Sequence, residues 1–150
     1  MVKYLKSNTI TFAGATNLVN GRGNRFLVVY DSKLYYIVND SNAAKCYEYD
    51  PSTDTETLLG TISSSLTTET FVNGVAREFG GVIYFAVAWE DLTIAQGAGN
   101  DEYEFEWAKY TVSSSTWAAG SSNTYDNLSA STYRHCIFID ICYANSTVMM

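Results

Sequence analysis

Proline, histidine and basic residues are scarce in this sequence, and each scarcity closes off a class of reading. There is one proline, Pro51, and one histidine, His135, and nine Lys plus Arg stand against 16 Asp plus Glu. A Ser-His-Asp relay would have to use His135, but no G-x-S-x-G elbow accompanies it. Placed between Arg134 and Cys136 at the start of an apolar run, it reads as a strand-end histidine. The net charge of −7 repels phosphate backbones and anionic headgroups, so neither nucleic acid nor membrane is expected as a partner. No apolar run approaches the roughly 18 residues that a membrane-spanning helix needs. Met1 to Ile10 holds two lysines and no apolar core, so it does not read as a signal peptide.

The three cysteines, Cys46, Cys136 and Cys142, form no CxxC and have no histidine pair beside them. They read as free, mostly buried thiols, which favours a virion or cytoplasmic setting over secretion. Gly21-Arg22-Gly23 and Gly97-Ala98-Gly99 are too short to cradle a phosphate, and no GK[ST] follows either. The D-x-[DN]-x-[DN]-G calcium frame is missing too. No cofactor and no metal are expected.

What the sequence does have is aromatic and β-branched side chains. Twelve Tyr, seven Phe and three Trp sit among many Val, Ile and Thr, the residues that suit a pleated, half-buried surface. They come in short runs broken by turn residues. Arg25 to Tyr30 and Leu34 to Val38 flank Asp31-Ser32-Lys33; Lys45 to Tyr49 and Thr55 to Ile62 flank Asp50-Pro51-Ser52-Thr53-Asp54. In the second of these turns Pro51 pre-sets φ and Asp50 is placed to bond the backbone ahead. Val75 to Phe79 and Val82 to Trp89 flank Gly80-Gly81, a pair free to take positive φ. Tyr103 to Thr111 and Thr116 to Ala119 flank Val112 to Ser115, and a third start is expected at Arg134 to Asp140, with Tyr143 onward as its partner. No window of 12 residues holds an uninterrupted helical stripe.

These hairpins repeat. Leu18-Val19-Asn20-Gly21 recurs as Phe71-Val72-Asn73-Gly74, 53 residues on, and Leu34-Tyr35-Tyr36-Ile37 recurs as Val82-Ile83-Tyr84-Phe85, 48 residues on. Tyr49 to Thr53 recurs as Tyr110 to Ser114, 61 residues on, with Glu90 to Glu102 as the inserted loop. Three features returning in one order at a spacing near 50 predict an all-β chain of antiparallel four-stranded repeat units. The expected division is an N-terminal segment 1–16, a first unit 17–66, a second unit 67–122 and the start of a third, incomplete unit 123–150.

Tyr47-Glu48-Tyr49-Asp50-Pro51-Ser52-Thr53 and Tyr110 to Thr116-Trp117 resemble the tyrosine, turn and tryptophan segment of kelch-type β-propeller blades. The likeness covers about Asn17 to Gly120. The chain departs from that pattern in placing Gly80-Gly81 before the second strand of its unit and in having Leu58-Leu59 where an aromatic belongs. The resemblance implies β-propeller blades; two sheets packed face to face as a β-sandwich are the alternative. Two and a half units do not close a ring. The expectation is therefore a homo-oligomer, or a part of a longer chain.

The dense acidic stretch is Asp101, Glu102, Glu104 and Glu106, and its alternation would put the last three on one face of a strand. With Glu90 and Asp91 it frames the inserted loop. Glu90, Asp91, Asp101, Glu102 and Glu104, with Trp89 and Trp107 as stacking surfaces, are the candidate binding residues; no residue stands out as catalytic. Two functions compete. One is a non-catalytic scaffold that meets a protein partner through its loops, the acidic, Ser/Thr/Asn-rich composition resembling virion and phage-tail structural proteins. The other is a propeller that binds or cleaves a glycan with paired carboxylates.

Overall fold

The computed structural model describes residues 26–40, 43–63, 69–91, 101–121, 123–127, 141–144 and 147–149. All regular structure there is strand, apart from one 3₁₀ turn at Val112–Ser114. The first sheet runs in chain order through β1 (Leu27–Tyr30), β2 (Lys33–Asp40), β3 (Ala43–Asp50) and β4 (Thr55–Ser63), all antiparallel. The second begins with β5 (Glu69–Phe79), β6 (Val82–Asp91) and β7 (Asp101–Thr111), again antiparallel. Two short strands, β8 (Thr116–Ala119) and β9 (Asn123–Asn127), lie end to end along the far side of β7. Between them the Gly120 N–H donates to the Trp107 carbonyl at 2.7 Å, so the ladder continues across the gap. They are one edge strand in two pieces, and each sheet is a four-stranded meander. A last hairpin joins β10 (Cys142–Ala144) to β11 (Thr147–Met149).

Turn chemistry fixes the hairpins. Asp31 and Ser32 both have positive φ, 48° and 62°, as do Gly80 and Gly81, 61° and 81°. Both pairs make two-residue turns whose twist matches the flanking strands. The expected three-residue break at Asp31-Ser32-Lys33 is thus shorter, because Lys33 pairs with Tyr30. After β3, Asp50 accepts from the Ser52 backbone N–H at 2.8 Å, and Asp54 takes a left-handed conformation before β4. Ser115 does the same before β8. The connection expected over Asn39 to Ala44 is largely strand, and so is the ground assigned to a loop over Glu90 to Glu102, because β6 runs to Asp91 and β7 starts at Asp101. The third hairpin lies later than expected, at 142–149. Arg134 to Asp140, with His135 and Cys136, falls outside the described residues, as do both short glycine motifs.

These turns place the repeat unambiguously. Tyr30-Asp31-Ser32-Lys33 matches Phe79-Gly80-Gly81-Val82, 49 residues on, and Asp50 to Thr55 matches Thr111 to Thr116, 61 residues on. The 12 extra residues enter between β6 and β7. Even the edge irregularity repeats. Cys46 pairs with Gly60 but Tyr47 with Leu58, leaving Leu59 as an extra residue on β4. On the other edge the chain advances three residues, Gly120 to Asn123, while β7 steps back two, Trp107 to Phe105.

The two sheets stack with β1 and β2 against β5, and β4 against β7 and β8. Their shared core holds Tyr35, Ile37, Ala44, Cys46 and Ile62 from the first sheet, and Ala76, Ile83, Phe85, Val87, Trp89, Ala108 and Tyr110 from the second. Side chains alternate across a strand, so the opposite faces carry separate clusters. Tyr36, Val38 and Tyr49 pack on the far side of the first sheet, and Val75 and Ala86 on that of the second, where Ile141 joins them. Equivalent residues therefore face in opposite senses along the stack. Tyr30 packs into the shared core while its match Phe79 packs on the far side of the second sheet. Tyr49 lies on the far side of the first sheet while its match Tyr110 lies in the shared core. The sheets are stacked front to back. Ile141 continues the rule: it stands three residues before its hairpin, as Ala76 does, and packs on the second sheet as Ala76 packs toward the first.

Candidate functional site

Polar side chains enter the seam between the sheets at two ends. At the turn end, Glu48 on β3 stands across from Tyr35 on β2 and accepts from its hydroxyl at 2.9 Å. Lys33 donates to the other oxygen of the same carboxylate at 2.6 Å, and Asp50 lies 3.9 Å from the lysine. The Tyr110 ring of the second sheet comes within 6.3 Å of the Tyr35 ring. Burial and the bond to Glu48 push the Tyr35 phenol well above the usual tyrosine range. The same carboxylate raises Lys33, and the Ser52 side chain and backbone lower Asp50. Every group here has a partner on the page. This end ties strands together.

The other end differs. Glu104 and Glu106 lie two residues apart on β7, where strand alternation puts both on the seam face: Glu104 pairs with Trp89 and Glu106 with Val87, both core residues. Glu104 is fully buried, the one charged residue so placed among the described residues. The Glu106 Oε2 is buried with no hydrogen-bond partner. Burial first, and the Glu104 charge second, raise the Glu106 carboxyl to about 7. The Trp89 indole N–H draws weakly the other way, without closing a bond to Oε2. Across the seam, Asn39 pairs with Ala44 and so shares its face; its Oδ1 is likewise buried without a partner.

The structure brings together two of the residues picked from sequence, Trp89 and Glu104, as cross-strand neighbours at the centre of the seam. Neither reaches solvent, so a sugar ring could not stack on Trp89 or meet Glu104 without opening the sheets. Trp107 points to the opposite face, where it packs beside Tyr84, with ring centres 6.4 Å apart, and on Gly120. Glu90, Asp91, Asp101 and Glu102 are described by backbone alone, at the paired ends of β6 and β7. Glu106 was not among the residues singled out for binding, although its alternation with Glu104 was visible. Cys46 is buried, as expected of a free thiol, whereas Cys142 is exposed.

The chain matches no family model, no curated protein and no solved structure. What the site can do must therefore come from its own geometry. Among the described residues no three His, Cys, Asp or Glu side chains converge as metal ligands. The carboxylate pair has no serine, cysteine or histidine nucleophile against it among the residues named at this end. Enclosed by core, it suits the holding of a proton better than turnover of a substrate.

Proposed function

We propose that the chain is a non-catalytic scaffold of β-propeller type, its four-stranded units acting as kelch-like blades, that binds a protein partner or builds an assembly such as a virion or tail component. The observation that carries this reading is the front-to-back stacking. In a sandwich of two like sheets related by a two-fold, equivalent faces would meet; here Tyr35 faces the seam and its match Tyr84 does not. Front-to-back contacts between repeats are heterologous, and such contacts generate rings or open arrays. The burial of Trp89 and Glu104 adds to the case, since the acidic strand ends then serve the seam rather than an open cleft.

Light scattering on the purified chain tests the proposal. A single defined multimer is the expected result. A monodisperse monomer that binds or cleaves a glycan, and loses that activity when Glu90, Asp91, Glu102 and Glu104 are replaced by their amides, would overturn it.

A further inference from the structure

The seam contains a feature that scaffolding alone does not require. A sheet-to-sheet interface made of Ile, Val, Ala, Phe and Tyr is insensitive to pH, yet two carboxylates have been placed on its β7 face. We propose that Glu104 and Glu106 make the seam a pH-responsive clasp, with Glu106 holding a proton while the sheets are packed and the seam weakening once that proton leaves to water.

The argument starts from charge in a dry place. Two carboxylates on alternate positions of one strand cannot both ionise in a low-dielectric site without repelling each other. Glu104 is fully buried and Glu106 carries a buried oxygen with no donor, so one of them gains by keeping a proton. Groups packed around the pair offer no cation among the described residues. On β6 they face Val87 and Trp89; on β4 and β2 the seam side chains are Ile62, Asn39 and Ile37. Lys33, Glu48, Asp50, Tyr35 and Tyr110 gather at the turn end, where Glu78 also donates its carboxylate to the Gly81 N–H. Lys45 pairs with Asp40, and its partner in register, Val38, belongs to the far side of the first sheet.

The sign follows from linkage. A carboxyl raised in the folded state binds its proton more tightly folded than unfolded. Stability is then fully present below the unfolded pKa, about 4.3, and drains away as pH rises toward 7, the reverse of ordinary acid denaturation. The device opens at neutral pH and tightens in mild acid.

Urea unfolding of the full chain, at intervals from about pH 5 to about pH 8, tests this against Glu106→Gln, which keeps the shape and removes the titration. Across that range the folded-to-unfolded ratio of the native chain should fall at least about tenfold more than that of the variant. Parallel curves, or a native chain that gains stability relative to the variant, would overturn the proposal. Should the variant fail to fold, carbon-13 NMR of the native chain's glutamate carboxyls decides the matter. One glutamate, assigned to Glu106 or Glu104, should titrate in the neutral range; both titrating in the ordinary carboxylate range would end the idea.

Discussion

Gly60 and Gly120 each stand where a side chain would overlap an indole: a Cβ on Gly60 would run into Trp117 across the seam, and one on Gly120 into Trp107 on its own sheet. Neither position carries positive φ, so space rather than backbone conformation excludes alanine. Gly60→Ala and Gly120→Ala should each cost about 1–3 kcal/mol in chemical denaturation, as overpacked positions do. Gly80→Ala, which meets nothing but sits at φ 61°, should lose only ~1 kcal/mol. The cost at Gly60 should shrink in a Trp117→Leu background, because neighbours in contact couple; additive losses would show that the clash is not with that ring. At the turn end, Tyr35 is fully buried and bonded to the Glu48 carboxylate, so Tyr35→Phe should lose about 1.5–3 kcal/mol. Its phenol is raised in the fold. The native chain should thus lose stability as pH climbs past the ordinary tyrosine value, about 10, and Tyr35→Phe should flatten that slope in alkaline urea titrations. Single residues were only partly legible in the sequence. The alternation of Glu102, Glu104 and Glu106 was plain, but an alternating acidic strand reads as a solvated face until a second sheet is known to cover it. That is why Glu106 was passed over for the exposed-looking positions beside it.

Hairpins were the most legible element, because each is set by residues a few positions apart. Gly80-Gly81, Asp50 to Asp54 and Val112 to Ser115 were recognisable as turns by their own chemistry. The repeat they punctuate was harder to align. Matching residue types gives 48 between Leu34-Tyr35-Tyr36-Ile37 and Val82-Ile83-Tyr84-Phe85, whereas the turns give 49. One residue matters in a strand: with a period of two, a slip by one moves every side chain to the other face. At 48 the faces that meet would be equivalent, as in a sandwich; at 49 they are opposite. Apolar and aromatic residues occupy both faces of these strands, so composition alone could not choose. The same comparison yields a prediction. Asp31-Ser32 holds two non-glycine residues at positive φ where the matching turn uses two glycines. Ser32→Gly should raise stability by about 0.5–1 kcal/mol, read as a higher urea midpoint with an unchanged slope, since glycine removes the left-handed penalty. A lower midpoint would mean that the Ser32 side chain contributes to the fold.

Over the whole molecule, the question is whether the units behave as one body. In a stack of repeats, cooperativity depends on how much of each unit's core lies in the contact between neighbours. Here the largest cluster is the contact: it draws Tyr35, Ile37 and Cys46 from one sheet and Phe85, Val87 and Trp89 from the next. Phe85 and Trp117 stand 5.8 Å apart beside it, with Trp117 seated on Gly60 of the first sheet. Neither sheet keeps that face covered alone, so unfolding one should expose the other and both should melt together. The sequence supplies separate reporters. All three tryptophans, Trp89, Trp107 and Trp117, belong to the second sheet, while the buried thiol of Cys46 belongs to the first. In a background with Cys136 and Cys142 changed to serine, tryptophan fluorescence and Cys46 labelling should give the same urea midpoint. Trp117→Ala, which removes the ring that crosses to Gly60, should lower both midpoints by a similar amount. If the thiol becomes reactive at a lower urea concentration than the fluorescence change, the first sheet has its own stability and the seam is not the core that unites the two.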